Sequence, residues 1–125
     1  MVWQVRYMSL SGRVTGATLQ VGVHDLVVSR RFYDELFGAA ATEILENDLY
    51  GYEPHPGFWF EITKQDAPRP LPRFRFGVTN IQAARDDLVA SGLAVTDVET
   101  VPGLVSWCDF DDPDGNPLGL YEDLA

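Results

Sequence analysis

The chain has 125 residues, the size of one ordinary domain, and 46 % of them are apolar, which excludes a disordered chain. Its formal charge of −10 argues against nucleic acid as a partner, because that binding depends on Lys and Arg neutralising phosphates. No apolar run reaches the roughly 20 residues that span a bilayer, so we expect no membrane span. The layout of the first residues also predicts no signal peptide. The single cysteine, Cys108, excludes an intrachain disulfide and favours a cytoplasmic location.

The amino-terminal segment, residues 1–16, carries an apolar alternation followed by Ser9-Leu10-Ser11-Gly12. Alternation of apolar and polar residues is typical of a strand, whereas small polar residues are typical of a loop. The segment is therefore predicted to be either an extra edge strand or an amino-terminal arm, and the sequence leaves both interpretations open.

Residues 17–66 predict a strand, a helix and three further strands. The first strand is indicated by apolar alternation, at Leu19, Val21 and Val23. Asp25 is placed to cap the amino terminus of the helix, and Gly38 to end it in left-handed backbone. Between them, apolar residues recur at helical spacing, at Val28, Phe32 and Leu36. The three strands that follow are predicted over 42–46, 49–53 and 58–63.

The same order of elements is predicted again in residues 73–125, after a stiff proline-rich linker over 67–72. Asn80 is placed to cap the second helix and Gly92 to end it. Three strands follow, predicted over 94–100, 104–110 and 117–122. The two caps and the two stops are separated by nearly the same number of residues, which indicates an internal repeat. Residues 1–125 are therefore predicted to form one domain with two βαβββ modules.

This arrangement predicts an α+β fold in which each helix covers one face of its sheet, while the other faces form a curved mixed sheet with a concave pocket. Strand parity assigns a wholly apolar set to the helix side: Leu19, Val21, Val23, Phe58, Phe60, Ile62, Phe74, Phe76, Val78, Leu118 and Leu120. A polar or aromatic set falls on the concave side: Thr18, Gln20, Trp59, Glu61, Thr63, Arg73, Arg75, Gly119 and Tyr121. Parity also groups Trp107 with Asp109, opposite Cys108. The asymmetry indicates that the concave face is a site rather than core.

Three motifs stand out in the two modules. They are Asp25-Leu26 with Phe32-Tyr33 and Leu36-Phe37-Gly38, then Glu61-Ile62-Thr63, and finally Asp112-Pro113-Asp114-Gly115-Asn116-Pro117-Leu118. In this order they resemble the first helix, the end of the first module and the final hairpin of the vicinal-oxygen-chelate superfamily, which includes glyoxalase I, bleomycin-resistance proteins and extradiol dioxygenases. The resemblance covers residues 17–124 and implies the glyoxalase/bleomycin-resistance fold and a homodimer with a pocket shared between chains. It implies no single activity, because many functions use this scaffold.

Enzymes of the superfamily usually bind a divalent metal through four side chains on the concave face. The resemblance places these positions at Thr18, Glu61, Arg73 and Gly119. Thr18 is a weak ligand, Arg73 cannot lose its proton, and Gly119 has no side chain. The two histidines, His24 and His55, are expected in loops. We therefore predict no metal and no cofactor.

An ion pair between Arg73 and Glu61 is predicted to replace the metal, either within the chain or between the two chains of a dimer. Aromatic side chains on the concave face are suited to stack on a flat or cationic ligand. The predicted ligand-binding residues are Gln20, Trp59, Glu61, Arg73, Arg75, Trp107 and Tyr121.

The predicted function is metal-free binding of a small organic molecule, for example sequestration of a drug or metabolite. The acidic charge favours a cationic or aromatic compound. The alternative is an enzyme, such as a lyase, an isomerase or a dioxygenase-like protein, that has an atypical metal site or uses Glu61 as a catalytic base without metal. A third alternative is an interaction or regulatory module with a vestigial pocket.

Overall fold

The computed structural model describes residues 10–125, so the predictions for residues 1–9 lie outside it. Residues 10–16 contain a turn over 11–13 and no strand. The first module comprises β1 (Ala17–Val23), α1 (Leu26–Phe37), β2 (Thr42–Leu45), β3 (Leu49–His55) and β4 (Phe58–Lys64). The second comprises β5 (Phe74–Gly77), α2 (Ile81–Ala90), β6 (Glu99–Val101), β7 (Val105–Asp111) and β8 (Pro117–Asp123). Neither helix of the described chain has the length and apolar character needed to cross a membrane.

The eight strands form two mixed sheets with the same topology. The first has the order β1-β4-β3-β2 and the second β5-β8-β7-β6. In each sheet the first strand runs parallel to its neighbour, and the remaining pairs are antiparallel. The α+β fold class and the repeat are therefore confirmed. Within residues 10–125, the outer edges of β1 and β5 have no partner strand.

Local capping signals position both helices. The Asp25 carboxylate accepts hydrogen bonds from two backbone N–H groups of the first turn, and Gly38 ends α1 with a φ of 66°. Asn80 accepts from the backbone of Ala83 at the start of α2. The carboxyl-terminal cap of α2 is Ser91, one residue before the predicted Gly92. These short-range signals needed no tertiary context to be found.

The apolar stripe predicted for α1 is misplaced at its first member. Val28 is 49 % exposed, whereas Ser29 and Tyr33 are buried. Tyr33 takes the central core position because its hydroxyl has a partner in the second module. A stripe chosen by hydrophobicity alone therefore omitted Tyr33, the residue of α1 at the centre of the core.

The strand predicted over 94–100 is also wrong in its first part, since β6 begins at Glu99. The guanidinium group of Arg85 on α2 donates to the carbonyl oxygens of Thr96, at 2.7 Å, and Val95, at 3.1 Å. Carbonyls held by a helix side chain are diverted from a strand ladder. The segment before β6 is therefore held between α2 and β7, since the backbone N–H of Thr96 also donates to the carbonyl oxygen of Asp109 at 2.9 Å.

The two modules contact each other through their helix-facing sides. The ring of Phe76 lies 5.5 Å from that of Phe37 and 5.8 Å from that of Phe60, measured between centroids. Phe74 contacts Phe58 at 5.8 Å. Aromatic pairs at these separations stabilise beyond their buried area. Every residue that parity assigned to the helix side belongs to the core or packs against it, which confirms that assignment.

The hairpin between β7 and β8 fastens the second module to the first. The fully buried Tyr33 donates from its hydroxyl to Asp112 Oδ2 at 2.6 Å. The Asp112 carboxylate also accepts from the backbone N–H groups of Asp114, at 2.9 Å, and Asn116, at 2.8 Å. Asp114 accepts in turn from the backbone N–H of His24 at 3.1 Å. Asp112 therefore shapes the turn between β7 and β8 and also binds α1 of the first module.

Replacing Tyr33 by Phe tests this contact. Tyr33→Phe keeps the ring but leaves the Asp112 carboxylate, which is 5 % exposed, without one of its donors. Asp112 Oδ2 keeps a donor, Asn116 Nδ2 at 2.8 Å, so the variant loses one charge-assisted hydrogen bond. Such a bond contributes about 1.5–3 kcal/mol, and we expect the free energy of unfolding in urea to fall by that amount. Because burial and the charge of Asp112 raise the pKa of Tyr33, its contribution is complete below about pH 10 and is lost as pH rises further. The stability difference between wild type and variant should therefore shrink above that pH.

Tyr52→Phe is the matched control, because the Tyr52 hydroxyl donates to Asp34 Oδ1 at the same 2.6 Å, but within the first module. Hydrogen exchange of the Asp114 and Asn116 amides should accelerate in Tyr33→Phe and stay unchanged in Tyr52→Phe. Equal exchange in the two variants would contradict the inter-module role of Tyr33.

Candidate functional site

The concave face of the first module centres on a buried carboxylate. Gln20 of β1 and Glu61 of β4 lie opposite each other in the sheet, and Gln20 Nε2 donates to Glu61 Oε1 at 3.2 Å. Glu61 is only 9 % exposed. Trp59, one position along the same face, covers Gly51, where an added Cβ would lie 3.0 Å from the indole ring. Three predicted site residues therefore lie together on this face.

The concave face of the second module centres on an arginine–carboxylate pair. Arg75 donates to Asp109 through two nitrogens, Nε to Oδ1 at 2.8 Å and Nη2 to Oδ2 at 3.0 Å. Bidentate pairs of this type are among the strongest charge-assisted hydrogen bonds. The hydrogen bonds between Arg75 and Asp109 hold the pKa of Asp109 below its usual value and raise the pKa of Arg75. Asp109 is therefore ionised at neutral pH.

Gly119 makes this pair possible. Gly119 belongs to β8 and lies opposite Arg75 of β5 on one side and Asp109 of β7 on the other. A Cβ at Gly119 would lie 2.5 Å from Asp109 Oδ1 and 2.6 Å from the carbonyl oxygen of Cys108. The missing side chain therefore leaves the space that the Asp109 carboxylate occupies on its way to Arg75.

Arg73 lies beside this pair, and the Arg73–Glu61 ion pair predicted from the sequence is not formed within the chain. Arg73 Nη1 donates to the carbonyl oxygen of Leu118 at 2.6 Å and lies 3.8 Å from Asp109 Oδ1. Among residues 10–125, no ion pair joins Arg73 to Glu61. Asp109 is the nearer acid because it belongs to the same sheet as Arg73.

Two aromatic residues stand next to the arginines. Trp107 and Tyr121 are opposite each other in register, one row along from Asp109 and Gly119. Together with Arg75 and Val105 they line a cavity of about 430 Å³. Tyr121 leans over Gly77, where an added Cβ would meet its ring at 2.8 Å. The parity that placed Trp107 on the concave side is therefore confirmed.

A larger cavity of about 750 Å³ lies between the modules. Most of its walls come from the helix-facing sides, among them Phe37, Phe58 and Phe76, and it also reaches Arg75 and Tyr121. No motif in the sequence indicates it, since it exists only once the modules are packed. We place the candidate site on the concave face instead, because paired charges and aromatic rings converge there.

The hydrogen bonds and ion pairs of the concave residues described above stay within one module. Gln20 binds Glu61 in the first, and both arginines bind groups of the second. The two halves of the predicted pocket are thus each organised by their own sheet.

The residues at the four metal positions of the superfamily do not fit a metal ion. Arg73 offers only donors, and the space at Gly119 is taken by the carboxylate that binds Arg75. Within residues 10–125, no group of three His, Cys, Asp or Glu side chains is arranged to hold a metal. His24 lies at the inter-module contact with Asp114, and His55 ends β3.

No protein-family model and no curated protein matches the sequence. Solved structures do match. A glyoxalase / bleomycin resistance protein from Catenulispora acidiphila DSM 44928 has 20 % identity and a TM-score of 0.73, covering 86 % of this chain and 96 % of its own. A glyoxalase family protein from Bacillus anthracis has 20 % identity and a TM-score of 0.74, covering 96 % and 99 %. The chain has the glyoxalase/bleomycin-resistance fold.

A third structure with this fold, a glyoxalase/bleomycin resistance protein from Albidiferax ferrireducens T118, has 27 % identity and a TM-score of 0.62, covering 84 % of this chain and 95 % of its own. The resemblance to the vicinal-oxygen-chelate superfamily seen in the motifs is therefore confirmed. At these identities, similarity to solved structures establishes the fold of the chain but not its activity.

Asp109 is the site residue that sequence reasoning missed. Its parity with Trp107 was visible, but nothing marked it as the partner of an arginine two strands away. Asp109 could have been identified from the strand register, because Arg75, Gly119 and Asp109 occupy paired positions on three neighbouring strands.

Gly119→Ala tests the fit between these residues. The new methyl group would collide with Asp109 and with a carbonyl oxygen of β7 that the sheet holds in place. We expect the free energy of unfolding to fall by about 1–3 kcal/mol, as in other overpacked sites. Urea denaturation of Gly119→Ala, Asp109→Ala and the double variant measures the coupling. Since Asp109 contributes part of the collision, the double variant should lose less than the sum of the single effects. Strict additivity, or no loss in Gly119→Ala, would show that the two residues do not share this space.

Proposed function

We propose that the protein binds a small organic molecule on its concave face and does so without a metal ion. The observation that carries this proposal is the cavity formed by Trp107, Tyr121, Arg75 and Val105. Its volume of about 430 Å³ is within the range of small-molecule pockets, which combine apolar or aromatic walls with a few fixed polar groups. Sequestration of a drug or metabolite is the form of function that such a site supports.

The Arg75–Asp109 pair supports the metal-free part of the proposal. In the metal-binding members of the superfamily, a carboxylate from the last strand reaches the cation. Here the corresponding space holds a carboxylate that already satisfies a guanidinium group. The carboxylate in that space is therefore already paired with a fixed positive charge, which supports binding without a metal.

The binding experiment uses protein treated with EDTA. A compound at 100 times its Kd adds about 2.7 kcal/mol of stability, which a thermal-shift screen of planar aromatic compounds detects. Trp107→Ala removes one wall of the cavity and should abolish the shift. Leu104→Ala is the control, because Leu104 is an exposed apolar residue that does not line this cavity. A shift that appears only after adding Ni²⁺ or Zn²⁺ would contradict the proposal, as would a screen in which no compound shifts the transition.

We also propose that two copies of the chain share each pocket in a homodimer. The outer edges of β1 and β5 have no partner strand in the described chain, and unpaired edges favour association. A second copy facing the arginines would supply Gln20, Trp59 and Glu61 to complete the site.

Mixing two defective variants tests the shared pocket. Trp59→Ala and Trp107→Ala should each lose binding when alone. In a heterodimer of the two, one pocket carries both substitutions and the other carries neither. After unfolding and refolding together, about a quarter of all pockets should be intact if two-fold dimers form at random. Titration with a compound from the screen measures this fraction. No recovery of binding after mixing would show that each pocket belongs to a single chain.

A further inference from the structure

We infer that the ligand of the concave face is an aromatic carboxylate carrying a single negative charge, recognised by Arg73 and Arg75. This inference rests on the proposed function and adds the chemical class of the ligand. It follows from the charges, the free donors and the spacing of the rows on the second sheet.

The three charged side chains that meet at Asp109 sum to one positive charge. Arg73 and Arg75 are both permanently protonated, and Asp109 is the single carboxylate paired with them. The Arg73 and Arg75 side chains are 39 % and 34 % exposed, so both remain open to a ligand. One negative charge is therefore needed to balance this cluster, and a dianion would meet Asp109 at close range.

Free hydrogen-bond donors remain on both guanidinium groups. Arg75 gives Nε and Nη2 to Asp109, and Arg73 gives Nη1 to Leu118. Within the described part of the chain, no hydrogen bond is formed by Arg75 Nη1, Arg73 Nε or Arg73 Nη2. Planar guanidinium donors match the two oxygens of a carboxylate.

Other acidic residues lie on the same sheet. Glu99 lies opposite Trp107 on the edge strand β6, and Asp111 and Asp123 end β7 and β8. All three are exposed, so salt and water weaken their effect on a bound ligand. Arg75 is half-buried and is held by two hydrogen bonds to Asp109, so its charge is screened less.

The spacing of the rows sets the shape of the ligand. Trp107 and Tyr121 form one row across β7 and β8, and Asp109, Gly119 and Arg75 form the next row on the same face. Residues two apart in a strand are separated by roughly 7 Å. That distance matches an aromatic ring with a carboxylate attached, so the ring lies on the aromatic row while the carboxylate reaches the arginines.

Isothermal titration with three naphthalene compounds tests the inference: 2-naphthoate, 2-naphthamide and 2-naphthylmethylammonium. They share one ring system and differ in charge. Naphthoate should bind about tenfold more tightly than the neutral amide, as expected for a charge-assisted hydrogen bond, and the ammonium compound most weakly. Arg73→Gln should remove the advantage of naphthoate and leave the amide unchanged, while Arg73→Lys should keep part of it. Arg31→Gln is the control, since Arg31 is exposed on α1 in the other module.

Equal binding of naphthoate and amide overturns the inference but leaves the proposed function intact, because the amide then reports the aromatic site by itself. Tightest binding of the ammonium compound overturns it in the same way. An advantage of naphthoate that survives Arg73→Gln also overturns it, because the charge is then recognised elsewhere. The proposed function fails separately, if neither these compounds nor the wider screen bind.

Discussion

The hydrogen bond between the Tyr33 hydroxyl and the Asp112 carboxylate is the contact on which the arrangement of the two modules depends. It is buried, it is charge-assisted, and it joins residues 79 positions apart. Asp112 also organises the turn before β8 through its bonds to Asp114 and Asn116. The start of β8 therefore follows from a contact made by α1, and β8 carries Gly119 and Tyr121 to the concave face.

The hairpin motif between β7 and β8 is therefore explained by its structural role, without reference to catalysis or ligand binding. Its two aspartates bind the first module, and neither contributes to the cavity beside Arg75. Gly119 lies a few residues further on, and its missing side chain leaves the space used by the Asp109 carboxylate.

The parts of the fold that the sequence predicted depend on neighbours close in the chain. Asp25 and Gly38 act within one turn of α1, and strand parity follows from alternation alone. The predictions were wrong where a residue far away in the sequence determines the local structure. Tyr33 is buried because Asp112 is its partner, and the residues before β6 form no regular strand because Arg85 binds two of their carbonyl oxygens. The pairing of Arg75 with Asp109 was missed for the same reason, since it spans β8 and needs the glycine between them.

The local charge of the site and the charge of the whole chain act at different ranges. A formal charge of −10 repels an approaching anion at long range, which slows association at low ionic strength. At physiological ionic strength this repulsion is screened beyond about 8 Å, the Debye length. A bound carboxylate would lie well inside that distance from the two guanidinium groups, where screening is weakest. The net charge of the chain would therefore influence how fast a ligand arrives, whereas Arg73 and Arg75 would select the charge of the ligand that stays bound.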